Sequence, residues 1–124
     1  QDVIVNSLKN EGGRVNTSGE RKYIILKYSK GGENWAHRDA NSDGFFPYQA
    51  LLMLSTGDDY SGGEFYVVKR FENDGKVSFV RTCCPKLGAG DLVIFQADND
   101  GGYDHGMKKV TKGERVAVGL LQPR

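Results

Sequence analysis

The sequence lacks long hydrophobic runs, and no apolar stretch approaches the ~20 residues that a membrane-spanning helix requires. It also lacks an excess of charge of one sign, because 17 basic residues face 16 acidic ones and the formal net charge is +1. Lys and Arg form no stripe along the chain, which argues against broad electrostatic binding of nucleic acid. Membrane and nucleic-acid partners are therefore both disfavoured.

Cysteine is scarce, and the two cysteines of the chain, Cys83 and Cys84, are sequence neighbours. A disulfide between adjacent residues demands strained geometry, so the sequence predicts two free thiols. Free thiols favour a reducing compartment such as the cytoplasm.

The chain has no internal repeat, low-complexity tract or linker. Its 124 residues fit one domain, which at this size buries roughly two thirds of the surface of the unfolded chain. We therefore expect a single domain over residues 1–124, with its core over about 21–121.

Glycine is abundant, and the 17 glycines cluster with Asn, Asp and Ser between short apolar runs. Residues 2–10 are compatible with one short helix or an entry strand, and residues 11–20 with a loop. Eight later segments have the composition of strands: 23–28, 34–39, 48–54, 64–69, 76–81, 91–95, 105–109 and 115–121. Turn residues recur between these strands, and Asn73-Asp74-Gly75 is typical of a hairpin turn. This spacing predicts an all-β sandwich or barrel, among which jelly rolls of the cupin type have eight strands.

The only two histidines, His37 and His105, lie on the second and seventh of these strands. Asp39 follows His37 by two places, and on a strand residues i and i+2 share a face. Two imidazoles and a carboxylate form the facial triad that holds iron(II), although manganese, cobalt, nickel or zinc could use the same ligands. The spacing alone is weak, since an acidic residue two places after a histidine occurs by chance about one time in eight. A surface pair or a core histidine therefore remains the alternative.

Two further side chains are candidates for the surroundings of the two histidines. Arg115 opens an apolar strand, and a buried guanidinium needs an anion such as a dicarboxylate. The alternative is that Arg115 pairs with Glu114 or with solvent at the strand end. Trp35 precedes His37 by two places and on a regular strand would share the ligand face, where it would line the pocket or pack as a core aromatic residue.

Several motifs occur together and in a characteristic order. They are Tyr28-Ser29-Lys30-Gly31, His37-Arg38-Asp39, Ser61-Gly62-Gly63-Glu64-Phe65, Pro85 with Gly88, Gly90-Asp91-Leu92-Val93-Ile94-Phe95, and His105 followed by Val110, Gly113 and Arg115. In this set the chain resembles the iron(II)- and 2-oxoglutarate-dependent dioxygenases, particularly the prolyl-hydroxylase-like branch, over about 23–121. Two departures are Arg115, where collagen-type prolyl hydroxylases have Lys, and Ala117, where many relatives have a hydroxyl residue.

The resemblance implies a double-stranded β-helix with iron(II) held by His37, Asp39 and His105. It also implies that Arg115 holds the distal carboxylate of 2-oxoglutarate and that Tyr28 hydrogen-bonds the same group, with a core aromatic role as the alternative for Tyr28.

The expected reaction consumes oxygen and 2-oxoglutarate, releases succinate and carbon dioxide, and hydroxylates a prolyl-type peptide side chain or a small metabolite, with ascorbate as a further candidate cofactor. The rival hypothesis is a non-catalytic jelly-roll module that binds a metal or a partner.

Overall fold

The computed structural model of the chain describes residues 22–38, 48–96 and 103–121, so residues 2–20, for which a helix or strand and a loop are expected, lie outside it. The described residues form nine strands and belong to an all-β fold. The strands are β1 (Lys22–Ser29), β2 (Asn34–His37), β3 (Tyr48–Met53), β4 (Tyr60–Gly62), β5 (Phe65–Asn73), β6 (Lys76–Cys83), β7 (Leu92–Gln96), β8 (Tyr103–Met107) and β9 (Val110–Leu121).

Two antiparallel sheets make up the fold. One has the order β1-β9-β3-β7, with β4 paired to β9, and the other has the order β2-β8-β5-β6. Apart from the short β4 and the β5–β6 hairpin, the chain passes repeatedly from one sheet to the other, which is the winding of a double-stranded β-helix. The predicted fold class is confirmed, and β4 is an addition to the eight expected strands.

The hairpin between β5 and β6 shows how local sequence determines the topology. Asn73 pairs with Lys76, so Asp74 and Gly75 alone form the connection. Both adopt positive φ, +48° for Asp74 and +75° for Gly75. This is the backbone of a type I′ turn, whose twist matches that of the two strands, and Asp-Gly adopts it readily. The predicted hairpin turn is confirmed.

The core lies between the two sheets. Its buried side chains come from both sheets and comprise Leu51, Met53, Tyr60, Phe65, Phe95, Met107, Val110 and Ala117. Met53 and Val110 are fully buried. Because each strand turns alternate residues inward, the core side chains of the two sheets meet face to face. The described residues contain no helix long and apolar enough to cross a lipid bilayer.

Strand β2 departs from regular alternation. Its pairing with β8 shifts register between Asn34 and His37, so that Asn34 lies opposite Met107 and His37 opposite His105. The irregularity turns Trp35 outward, and 76% of its surface is exposed. The expectation that Trp35 lines the pocket or packs in the core is therefore wrong, because the irregularity breaks the two-residue period on which it rested.

Candidate functional site

The two histidines lie directly opposite each other across β2 and β8. Their ring centroids are 4.4 Å apart, and the rings are tilted by 54°. His105 is buried, and the ring of Phe95 also packs against it, with a centroid distance of 4.6 Å. Strand pairing thus brings together two imidazoles that are far apart in the sequence.

A hydrogen bond to the backbone orients the ring of His37. Its Nδ1 lies 2.7 Å from the carbonyl oxygen of Trp35. A carbonyl oxygen can only accept, so Nδ1 donates, and in the neutral ring, the form that binds metals, Nε2 carries the lone pair. Histidines that bind metals commonly hold their second nitrogen in this way, which fixes the tautomer and the direction of the ring.

The expected third ligand, Asp39, lies outside the described residues. Within the ranges 22–38, 48–96 and 103–121, no group of three His, Cys, Asp or Glu side chains is arranged to hold a metal ion. The described part of the site therefore supplies two imidazoles of the expected triad.

The ends of β2 and β8 are joined by an ion pair next to the histidines. Nε of Arg38 donates to Oδ1 of Asp104, and both side chains are partly buried. Arg38 follows His37 and Asp104 precedes His105, so the pair holds together the two strand ends that carry the imidazoles.

Arg115 lies in the opposite sheet, on β9, and only 2% of its surface is exposed. Its cross-strand partner on β1 is Tyr28. Burial lowers the pKa of the guanidinium, while the nearby hydroxyl groups of Tyr60 and Tyr28 counteract this effect. The expected alternative, an Arg115 that faces solvent at a strand end, is excluded by this burial.

The guanidinium has an incomplete set of partners. The nearby Tyr60 hydroxyl favours its charged form and so raises its pKa against the effect of burial, but Nε of Arg115 has no hydrogen-bond partner among the described residues. None of the described carboxylates pairs with it either; Glu114 instead pairs with Lys27 at 3.1 Å. A buried cation is costly unless an anion compensates it. The chemistry of this position fits a ligand that brings a carboxylate.

A cavity of about 130 Å³ lies between the two sheets. Its lining includes His37 and His105 from one sheet and Tyr28 and Arg115 from the other. Most of the remaining wall is apolar, with Leu26, Leu51, Phe65, Phe95 and Met107 among its residues. Four of the five expected site residues thus meet at one cavity, and its donor set fits a metal ion together with a small organic acid.

Two glycines make room for these side chains. Gly63 has a φ of +66°, and a Cβ there would lie 3.0 Å from Cδ of Arg115. Next to His105, a Cβ on Gly106 would lie 2.6 Å from the hydroxyl oxygen of Tyr66. The Gly-Gly-Glu motif was recognised from the sequence, but its contact with Arg115 was not.

Tyr60 is the principal site residue that the sequence did not single out. It is 4% exposed, and its ring lies with Arg115 against Gly63. In the sequence it stands within the polar stretch 57–63, which has the composition of a turn. Its place beside Arg115 results from the pairing of β4 with β9.

Comparison with known proteins identifies the family. Residues 10–122 match the family model Oxygenase-NA, described as an oxygenase catalysing oxidative methylation of damaged DNA. The chain belongs to this oxygenase family. The resemblance to the iron(II)/2-oxoglutarate oxygenases seen in the sequence motifs is thereby confirmed.

Among solved structures, a prolyl-4-hydroxylase of Pseudomonas putida has a TM-score of 0.70 and 20% identity over 99% of this chain and 62% of that protein. A prolyl 4-hydroxylase of Phytophthora capsici has a TM-score of 0.71 and 17% identity over 99% of this chain and 40% of that protein. These likenesses show that the oxygenase shares their fold.

Curated relatives are longer than this chain. An uncharacterized protein of Mycobacterium tuberculosis is 28% identical over 109 residues, which are 79% of this chain and 45% of that protein. Human prolyl 3-hydroxylase 2 is 38% identical over 76 residues, which are 61% of this chain and 9% of that protein. The oxygenase chain thus spans less than half the length of these relatives.

Proposed function

We propose that this oxygenase is an iron(II)- and 2-oxoglutarate-dependent hydroxylase. His37, Asp39 and His105 would hold the iron, and Arg115 and Tyr28 would hold the distal carboxylate of 2-oxoglutarate. The observation that carries the proposal is a cavity between the sheets, with paired imidazoles on one wall and on the other a buried guanidinium that no described carboxylate neutralises.

Iron and 2-oxoglutarate would supply the oxidising chemistry, in which oxygen is consumed, 2-oxoglutarate becomes succinate and carbon dioxide, and the substrate gains a hydroxyl group. The protein contributes position and environment. The Nδ1 hydrogen bond of His37 directs its Nε2 lone pair, and the charge of Arg115 selects an acid with a second carboxylate. The apolar walls formed by Leu51, Phe65 and neighbouring residues exclude water and strengthen these interactions.

The substrate class we favour is a prolyl-type peptide side chain or a small metabolite. The similarity to prolyl hydroxylases in sequence and in fold supports the peptide. Damaged DNA is the second candidate, because the matching family is described by that substrate. The net charge of +1 and the absence of a basic stripe in the sequence argue against a large phosphate-contacting surface.

Conversion of 2-oxoglutarate to succinate by the purified protein with iron(II) and ascorbate tests the proposal. We expect slow turnover without substrate, which His37→Ala or Asp39→Ala abolishes. Arg115→Ala should chiefly raise the KM for 2-oxoglutarate, because it removes cosubstrate binding and leaves the metal ligands in place. Absence of turnover by a folded, iron-loaded protein would instead support the non-catalytic metal-binding module.

The substrate is then found by stimulation of the same reaction. Proline-containing peptides, small metabolites and alkylated single-stranded oligonucleotides are compared at equal concentration. Stimulation by oligonucleotides alone, declining steeply with salt, would replace the peptide proposal by the DNA one.

A further inference from the structure

Tyr60 occupies a position that links β4 to the guanidinium of Arg115. It is the cross-strand partner of Gly113, which lies two places before Arg115 on β9. The Tyr60 ring and the Arg115 side chain both lie against Gly63, where a Cβ would be 3.4 Å from Cδ2 of Tyr60 and 3.0 Å from Cδ of Arg115. At 4% exposure for Tyr60 and 2% for Arg115, neither group shares its contact with bulk water.

The polar groups of Arg115 and Tyr60 are complementary. A guanidinium has only donors, the Tyr60 hydroxyl oxygen can accept, and the nearby hydroxyl favours the charged form of Arg115 and so raises its pKa against the effect of burial. The single hydroxyl proton of Tyr60 points to the carbonyl oxygen of Leu87, at a long distance of 3.4 Å. The lone pairs of the hydroxyl oxygen are therefore left for the guanidinium, while the proton connects Tyr60 to the backbone of the segment between β6 and β7.

Tyr60 is itself held in place from outside. Nζ of Lys86 donates to the carbonyl oxygen of Tyr60 at 2.6 Å and lies 4.9 Å from the centroid of its ring. On the other side, Gly63 leaves room for the aliphatic part of Arg115, where a Cβ would lie 3.0 Å from Cδ. These contacts restrict the phenol and the guanidinium to one arrangement.

Tyr28 and Tyr60 differ in their relation to the cavity between the sheets. Tyr28 lines that cavity together with Arg115, whereas Tyr60 is not among the residues that line it. A ligand in the cavity can thus touch Tyr28 directly but would sense Tyr60 only through the guanidinium.

We propose that Tyr60 is a positioning residue, which holds the Arg115 guanidinium so that its remaining N–H donors face the distal carboxylate of 2-oxoglutarate. The inference rests on the proposed function. A planar donor must be oriented in advance for a two-point contact with a carboxylate, since otherwise binding must first restrict its rotation.

The test uses the Tyr60→Phe variant, which removes one hydroxyl oxygen and keeps the ring. Calorimetry on the manganese-loaded protein compares 2-oxoglutarate with 2-oxopentanoate, which carries the same keto acid but a methyl group in place of the distal carboxylate. We expect Tyr60→Phe to weaken 2-oxoglutarate binding about tenfold, close to 1.4 kcal/mol, and to leave 2-oxopentanoate unchanged. Tyr23→Phe on β1, whose side chain is 59% exposed, serves as the matched control and should alter neither affinity.

A second variant keeps the inference testable if Tyr60→Phe does not fold. Lys86→Met removes the cation that holds Tyr60 from the exposed side, and it should weaken 2-oxoglutarate binding in the same direction by about two- to threefold. Equal losses for both acids, or no loss for 2-oxoglutarate, would overturn the positioning role and leave the proposed function intact. If the wild-type protein binds the two acids equally, the cosubstrate role of Arg115 itself is wrong.

Discussion

His37 and His105 are direct partners across β2 and β8, with their ring centroids 4.4 Å apart. Two imidazoles this close offer two nitrogen ligands to one metal ion. The Arg38–Asp104 ion pair and the His37–Trp35 hydrogen bond keep the two rings in this relation.

Removal of either imidazole should abolish tight metal binding. We expect His37→Ala and His105→Ala each to lower the affinity for manganese(II) by more than about hundredfold. Removal of a residue that only hydrogen-bonds to a metal ligand typically costs about ten- to hundredfold in affinity, and loss of the ligand itself should cost more. Calorimetry measures the affinity. Trp35→Ala is the matched control, because that side chain is exposed and its contact with His37 uses the backbone carbonyl. Undiminished metal binding by His105→Ala would place the metal site elsewhere.

Arg115 should contribute to ligand binding at the expense of stability. Burial lowers the pKa of its guanidinium, and no described carboxylate compensates the charge. For the ligand-free protein, we therefore expect Arg115→Met to leave the free energy of unfolding unchanged or to raise it by up to about 2 kcal/mol. The same substitution should abolish the binding of 2-oxoglutarate. Urea denaturation and calorimetry measure the two effects. Lys112→Met, on the exposed part of β9, should change stability by less than about 0.5 kcal/mol. A loss of 2 kcal/mol or more in Arg115→Met would show that the guanidinium stabilises the protein without ligand.

Gly106 should be intolerant of a side chain. A Cβ at this position would lie 2.6 Å from the Tyr66 hydroxyl oxygen and 2.7 Å from the carbonyl oxygen of Asn34. Both neighbours are held by strand pairing, so we expect Gly106→Ala to lower the free energy of unfolding by about 1–3 kcal/mol. Gly119→Ala is the control, because the nearest atom there is 3.8 Å away. Comparable denaturation midpoints for the two variants would contradict the crowding at Gly106.

The two cysteines should react at different rates. Cys83 is exposed, whereas burial raises the pKa of the Cys84 thiol and the adjacent Cys83 raises it further. Iodoacetamide near neutral pH should therefore alkylate Cys83 first, and labelling of Cys84 should accelerate as the pH rises. Peptide mass spectrometry measures the labelling; equal rates near neutral pH would contradict the difference in environment.

The raised pKa of Cys84 also affects stability. Because the thiol of the unfolded chain ionises first, the free energy of unfolding declines as the pH rises from the ordinary pKa of cysteine to the raised pKa of Cys84.

Much of the fold could be predicted because its signals are local. Strand-forming composition and the turn residues between segments located the eight strands of the double-stranded β-helix, and the Asp74-Gly75 turn followed from the two residues that adopt positive φ. Short β4 could not be predicted in this way. Its three residues have the composition of a turn, and only their pairing with β9 makes them a strand.

The sequence by itself determined the strand pattern, the two imidazoles, and an arginine at the start of an apolar strand. These are properties of residue type and short-range spacing. The tertiary structure alone decided which residues meet, such as Tyr60 with Arg115, and which do not, such as Trp35 and the cavity. The physical reason is that strand register depends on pairing between segments that are distant in the chain. The irregularity in β2 is one example, because it arises where β2 pairs with β8. The two-residue period of a single strand does not specify which strand will pair with it.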